Sequence, residues 1–540
     1  MSDARKPGIA LAATFTSDGL GDAMARRLRD TGREVMAAPY GQVLEPLLDP
    51  GSVLLAHAGV NVVLLRAEDL FRGGADPSAG DRLLDELLSV LSAAPNRSAA
   101  TWLVALTPPS PGALADPARA RWVEAATRRV TETVAPLPGM HLVALDDLTD
   151  RYEVPQTHDE YADRIAHLPY TDEYFDALTD WLVRLAGTTW RKPRKVVVLD
   201  CDNTLWAGVC GEDGPLGVEI GPGRRAVQEF MRDQRAQGKL LCLCSRNEEA
   251  DVRAVFAENP AMVLTMEDVT AHRIGWQPKA QYLYELSQEL GLALNSFVFV
   301  DDDAVECASV RAALPEVAVV ELTRDADAAP RQLAHETAFD QLTVTDEDRL
   351  RADWYRAEPE RRALEQSLAD YEEFLARCAI EVSMEELTDS ALDRAAQLTT
   401  RTTQFTLAGT AFTVPELRRL LDGGGRGWTV RVRDVFGDYG TVGLVLAQAD
   451  GDVLNVPVFL LSCRVLNRRV ESRMLRMLGA EAAAAGCRTL RLPYRPTPRN
   501  APARHFLKEI SGGVIGADDD PGVIAVRVAD WADAPAVAAP

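Results

Sequence analysis

Short unbroken apolar runs recur along the chain, separated by amphipathic stretches of helical period, and this alternation predicts an α/β protein built on parallel sheets. In residues 1–190 the runs Gly8–Ala12, Val53–Leu55, Val62–Leu65, Trp102–Leu106 and Leu142–Leu145 predict the strands of a first α/β unit. A basic linker, RKPRK at 191–195, leads into a second unit ending near residue 325, whose runs Val196–Leu199, Leu240–Cys244 and Phe297–Val300 suit fully buried parallel strands. Residues 326–377 read as a linker, charged and largely helical over Asp346–Arg377. A third unit, 378–530, shows strand-like runs at Trp428–Val435, Gly440–Ala447 and Val453–Leu461, followed by a helix over Arg468–Ala485. The segment 531–540, rich in Ala, Pro and Asp, reads as a loose tail. No internal repeat is evident.

Candidate chemistry gathers where the strands of the second unit end. Val196–Leu199 runs into Asp200-Cys201-Asp202-Asn203-Thr204, placing two carboxylates at the carboxyl edge of a sheet, where ligands of open α/β sheets bind. A carboxylate that attacks phosphorus needs a cation beside it, and an acid two residues on can protonate the leaving oxygen and then activate water. Three later segments complete that arrangement. Leu240–Cys244 ends in Ser245 and Arg246, donors for phosphoryl oxygens; Lys279 opens a helical stretch and supplies a point charge. Phe297–Val300 ends in Asp301, Asp302 and Asp303, hard oxygens suited to magnesium. Any one of these segments reads equally well as a loop or helix cap. Their order and completeness carry the argument.

These residues resemble the four motifs of the haloacid dehalogenase (HAD) superfamily, matched by Asp200/Asp202/Thr204, Ser245, Lys279 and Asp301/Asp302. The strings LDCDNTLWAGVCGEDG, LCSRNEE, WQPKAQ and FVFVDDDAVE, with TTQFT and LSCRVLNRRVE further on, are similar to the FkbH-like proteins of polyketide pathways, from about residue 10 to the C-terminus. Ala207 stands where that family usually has glycine, and RTTQFT replaces a more usual KTNQFN. The resemblance implies an SGNH-hydrolase-like domain at 1–190, a HAD-like catalytic domain at 191–325 and a GNAT-like domain at 378–530. It implies conversion of 1,3-bisphosphoglycerate into a glyceryl thioester on an acyl carrier protein. Asp200 would be the nucleophile, Asp202 the general acid and base, and Thr204, Ser245, Arg246 and Lys279 the phosphate-binding groups. Mg2+ would be held by Asp200, Asp301 or Asp302 and the backbone carbonyl of Asp202. Cys201 would be the thiolate that accepts the acyl group before a holo carrier's phosphopantetheine collects it; the plainer alternative is a small apolar filler. A plain magnesium-dependent HAD phosphatase acting on a small phosphorylated metabolite, or a non-catalytic scaffold that docks carrier proteins, are the other readings.

Composition narrows the field. The 540 residues are 47% hydrophobic and 26% charged, ordinary for several folded domains. A formal charge of -23 argues against nucleic acid as a partner. No apolar stretch approaches the ~20 residues of a membrane span, and MSDARKPG lacks the apolar core of a signal peptide, so a cytoplasmic location is expected. The eight cysteines form no C-x-x-C pairs and point to neither a disulfide framework nor a structural zinc. Against the acidic whole, residues 464–504 hold ten arginines, and Arg464, Arg468 and Arg469 are the expected docking surface for an acidic carrier; a solvated helix face is the plainer alternative. In the first unit Ser17 and His167 could be two members of a triad, but Ser17 in TFTSDG is read as a loop or cap residue, and the unit as structural or docking.

Overall fold

The computed structural model describes residues 6–71, 77–349, 351, 354–355, 371–466, 468–497, 499–512 and 521–532. The expected tail falls outside these from residue 533, as does the stretch 356–370 of the expected helical linker. No helix among the described residues is long and apolar enough to cross a membrane.

The first unit is a five-stranded parallel sheet of β1 (Lys6–Ala13), β2 (Arg33–Ala37), β3 (Val60–Leu65), β4 (Thr101–Leu106) and β5 (Met140–Val143), ordered β2-β1-β3-β4-β5. Two expectations need correction. Val53–Leu55 forms a turn, its Leu54 buried in the core without pairing to a strand. The strand at Arg33–Ala37, which opens on Arg33 and Glu34 and is not among the expected strands, pairs only with β1, at the sheet's edge, and stays partly exposed.

The second unit is also a five-stranded parallel sheet, made of β6 (Val196–Leu199), β7 (Leu240–Ser245), β8 (Val269–Ile274), β9 (Phe297–Asp301) and β10 (Ala318–Glu321), in the order β10-β9-β6-β7-β8. The chain leaves β6 toward β7 and β8, then returns to the other side of β6 as β9, so the switch in direction lies between β6 and β9. Register sets Leu199 beside both Leu243 and Val300, which brings the residues after β6, β7 and β9 to one edge. Both faces of β6 are covered: Val197, Leu199 and Cys201 pack into one core layer, Val196 and Val198 into the other. Leu333 and Phe339 belong to the first of these layers, so packing on this unit continues past residue 325. Further on, Asp348 presses its carbonyl against Gly238, where a Cβ would meet that oxygen at 2.0 Å and where φ is +90°.

The third unit is a mixed seven-stranded sheet of β11 (Glu381–Glu386), β12 (Phe405–Thr406), β13 (Arg426–Asp434), β14 (Gly437–Asp450), β15 (Val453–Leu461), β16 (Thr489–Tyr494) and β17 (Gly522–Arg527). β13, β14 and β15 form an antiparallel meander, and a helix at Val470–Ala484 leads to β16, which runs parallel to β15. Those two strands pair over Val453–Asn455.

Candidate active site

Asp200 is the first residue beyond β6, and its N–H donates to the Val300 carbonyl of β9 at 3.0 Å, which anchors the start of the loop to the neighbouring strand. The chain then turns tightly: the N–H groups of Thr204 and Leu205 both donate to the Cys201 carbonyl, and Asn203 takes φ 55°, a left-handed conformation Asn tolerates. The turn leaves the carboxylates of Asp200 and Asp202 in different surroundings.

Asp200 meets Lys279, Ser245 and the end of β9. Lys279 Nζ donates to Asp200 Oδ1 at 2.8 Å and to Asp301 Oδ2 at 2.6 Å, and Ser245 Oγ donates to the same Asp200 Oδ1 at 3.1 Å. Carboxylate oxygens of Asp200, Asp301 and Asp302 lie within 4.8 Å of one another. Burial pushes the Asp200 carboxyl up to about 6, with Lys279 opposing and Asp301 adding to the shift. Asp301 and Asp302 are raised as well, chiefly by burial. Burial alone would lower the Lys279 ammonium, but Asp200 and Asp301 outweigh it and hold the group charged. Three crowded carboxylates face one lysine and one arginine, since Arg324 Nε donates to Asp302 Oδ2 at 3.0 Å. That excess of hard, negatively charged oxygen fits a divalent cation.

Asp202 is fixed by other donors. Trp206 Nε1 donates to its Oδ1 at 2.8 Å, the Cys210 N–H to the same oxygen at 3.1 Å, and Asn247 Nδ2 to Oδ2 at 3.0 Å. Its carboxylate is outside the cluster of three, which leaves its backbone carbonyl as the group expected to share in metal binding. Asn247 also donates to Ser245 Oγ at 3.1 Å and so links the two halves of the site. Sequence reasoning did not single out Asn247, Trp206 or Arg324. The first two lie inside strings already notable, LCSRNEE and LDCDNTLWAGVCGEDG, and Arg324 three residues beyond β10 carried no signal of its own.

Other expected site residues are placed differently. Cys201 is fully buried among Val197, Leu199, Leu205 and Trp206, and burial together with Asp200 pushes its thiol well above the ordinary range. The expectation of an accessible thiolate is therefore corrected: alternation along β6 turns Cys201 into the core layer. Thr204 is also fully buried, within the turn, and its hydroxyl has no hydrogen-bond partner. Arg246 is half-exposed at the rim, paired with Glu306 at 2.8 Å. Arg468 does not face solvent, because its Nη1 donates to Asp434 Oδ2 at 3.1 Å inside the third unit and its guanidinium lies over Tyr439. Arg464 stacks on Trp354, and of the three arginines expected to dock a carrier Arg469 alone is exposed. In the first unit the His167 ring pairs with Asp69 at 2.9 Å and Tyr40 at 2.9 Å, not with Ser17. Thr14 and Arg66 bond the same Asp69, a buried polar cluster that ties β1 and β3 together.

Comparison with protein-family models and with curated proteins gives no match. Among solved structures, the N-terminal part of the protein BF1531 from Bacteroides fragilis, containing a phosphatase domain complexed with Mg, aligns with a TM-score of 0.54 at 20% identity, covering 62% of this chain and 94% of its own. The second unit has a HAD-like fold. Two acetyltransferases also align: a mutant of the spermidine N-acetyltransferase SpeG from Vibrio cholerae, with a TM-score of 0.21 at 11% identity over 28% of this chain and 96% of that one, and the ribosomal-protein-S18-alanine N-acetyltransferase from Escherichia coli, with 0.22 at 13% over 27% and 94%.

Proposed function

We propose that the protein is a magnesium-dependent phosphoryl-transfer enzyme that turns 1,3-bisphosphoglycerate into a glyceryl thioester on an acyl carrier protein. The observation that carries the phosphoryl chemistry is the triangle of Asp200, Asp301 and Asp302 with Lys279 bridging two of its corners. The magnesium complexed by the Bacteroides phosphatase domain supports the same metal here. The glyceryl and carrier parts rest on the resemblance of the motif strings.

Asp200, Asp301 and Asp302 would hold the metal, which supplies Lewis-acid stabilisation of the phosphoryl oxygens. Ser245 and Lys279 orient the phosphate, and Asp200 attacks phosphorus to form an aspartyl-phosphate. Asp202, set by Trp206, Cys210 and Asn247, gives its proton to the leaving ester oxygen and then takes one from the water that releases phosphate. The acyl phosphate at the other end is already activated. With Cys201 buried, the carrier's thiol attacks that carbonyl directly and expels the second phosphate. One 1,3-bisphosphoglycerate, one carrier thiol and one water give one glyceryl thioester and two phosphates.

Intact-mass analysis of a holo carrier after incubation with enzyme, magnesium and 1,3-bisphosphoglycerate tests this reading, and a glyceryl adduct on the carrier is expected. Cys201→Ser should load the carrier at close to the wild-type rate. A hydroxylamine-labile adduct trapped on the Cys201 peptide, together with failure of Cys201→Ser, would restore the two-step thioester route. Phosphate release with an unmodified carrier would reduce the protein to the plain phosphatase.

A further inference from the structure

At the other end of β6 from Asp200 lies a cavity of about 370 Å³ that the catalytic scheme does not use. Its wall is assembled from the linker before β6, the turn before β9, Arg351, Tyr355 and several stretches of the third unit. Two of those stretches, Thr402-Thr403-Gln404 and Ser462-Cys463-Arg464, come from the TTQFT and LSCRVLNRRVE strings, for which the phosphoryl chemistry gives no role.

Lys195, Arg351, Arg394, Arg401, Arg464 and Arg499 all line it, and no carboxylate does among the described lining residues. One buried acid stands behind the wall: Asp348 pairs with Arg351 and, at 2.8 Å, with Arg401. Arg394 is bonded to the Thr441 carbonyl and to Gln397. Arg464 Nη1 is buried and has no hydrogen-bond partner. Burial and the neighbouring guanidinium groups push the Lys195 ammonium down to about 7 and Arg464 down to about 9. Among the described residues these confined cations have little countercharge, and their desolvation and repulsion carry a cost that an anion of two or more charges would offset. The basic side chains of the wall and the hydroxyl residues Thr402, Thr403 and Ser462 supply the donor types such an anion needs.

We propose that this cavity binds an organic phosphate at a site separate from the catalytic centre. Lys195 and Asp200 stand at opposite ends of β6, roughly 16 Å apart at strand rise, so a small phosphorylated substrate held at Asp200 does not reach it. The volume is that of a small-molecule site, on the order of 300–1,000 Å³. Two sources share the chemistry: a free phosphorylated metabolite, or the phosphate that joins a pantetheine arm to its carrier.

The test uses full-length Asp200→Asn protein without magnesium, so that failure of the catalytic reading has no bearing on the result. Inorganic pyrophosphate and 4′-phosphopantetheine are titrated by calorimetry, and alkylation of Cys463 by iodoacetamide is followed by mass spectrometry. Cys463 is exposed and lines the cavity, while the other cysteines are buried. One equivalent of probe should bind and slow Cys463 alkylation by about tenfold or more. Arg464→Gln and Lys195→Gln should each weaken binding by about tenfold, the loss of one charge-assisted bond. Tighter binding of 4′-phosphopantetheine than of pyrophosphate assigns the site to the carrier's arm, and the reverse assigns it to a free metabolite. Failure of both probes to bind or to protect Cys463, or binding that neither substitution weakens, overturns the proposal.

Discussion

Asp200 and Asp202 are two residues apart in sequence and differ chemically because of what surrounds them. Asp200 shares Lys279 with Asp301 in a buried cluster, while Asp202 accepts three donors that fix its orientation. Replacing Asp200 by Asn keeps the shape and removes both the proposed nucleophile and one of the three carboxylates of the proposed metal site. Phosphate release should fall by roughly 10⁴-fold or more with the circular-dichroism spectrum unchanged; a single-turnover rate within a few-fold of wild type would exclude Asp200 as the nucleophile. Proton linkage gives a second expectation. The folded-state carboxyl is raised to about 6, above its unfolded value, so the native protein keeps a proton that the unfolded chain has already lost. In the metal-free protein this group's contribution to stability is therefore present at low pH and is lost as pH rises toward 6. Magnesium competes for the same oxygen, and its affinity should rise through that window. Calorimetric magnesium titrations at pH 5 and pH 7 should show the rise in wild type; equal affinities at both pH values would mean that Asp200 is ionised throughout.

The elements that carry these side chains are fixed by apolar packing. The helix Lys279–Leu290 begins at the lysine that bridges Asp200 and Asp301 and buries Leu283 and Leu286 against the layer formed by Val198, Cys242 and Phe299. Its amino end thereby sets Lys279 between β6 and β9. Leu283→Ala should cost about 2–5 kcal/mol, and because the helix is anchored one turn beyond Lys279, the rate should also fall, though less than in Lys279→Met. Denaturant melts and initial rates on both variants check this; full activity in a strongly destabilised Leu283→Ala would show that the lysine is held by its ion pairs alone. The Arg468–Asp434 pair makes a parallel point in the third unit. What reads in sequence as a basic docking face is partly an internal brace, so charge reversal there reports on folding before it reports on a partner.

At the scale of the molecule, the first and second units are joined by more than the linker at 191–195. Arg184, in the helix Asp172–Trp190, reaches Asp340 with Nη2 at 2.6 Å and Nε at 3.1 Å, and both side chains are almost wholly buried. Removing one partner leaves the other charge desolvated, so Asp340→Asn should cost about 3–5 kcal/mol and loosen the first unit from the catalytic one. Scanning calorimetry should resolve an early transition absent from wild type, with faster proteolysis near 191–195. A melt indistinguishable from wild type would show that the apolar contacts alone join the units. The cavity at the far end of β6 belongs to this scale too, because it forms where the second unit, Arg351, Tyr355 and the third unit meet.

The four phosphoryl-transfer segments were legible in the sequence because their chemistry is local: each acid, serine or lysine ends or begins an element whose apolar run announces it. The parallel sheets were legible for the same reason, except at an edge strand such as Arg33–Ala37, which lacks a second neighbour, opens on two charged residues and stays partly exposed. Tertiary structure alone decided which way side chains face and what they meet. Strand alternation sent Cys201 into the core, folding of the third unit buried Arg468 against Asp434, and the turn after β6 brought Trp206 and Asn247 onto Asp202. Residue type and spacing state what a group can do, whereas burial and partners, which come from distant parts of the chain, determine whether it is charged, reachable and aimed.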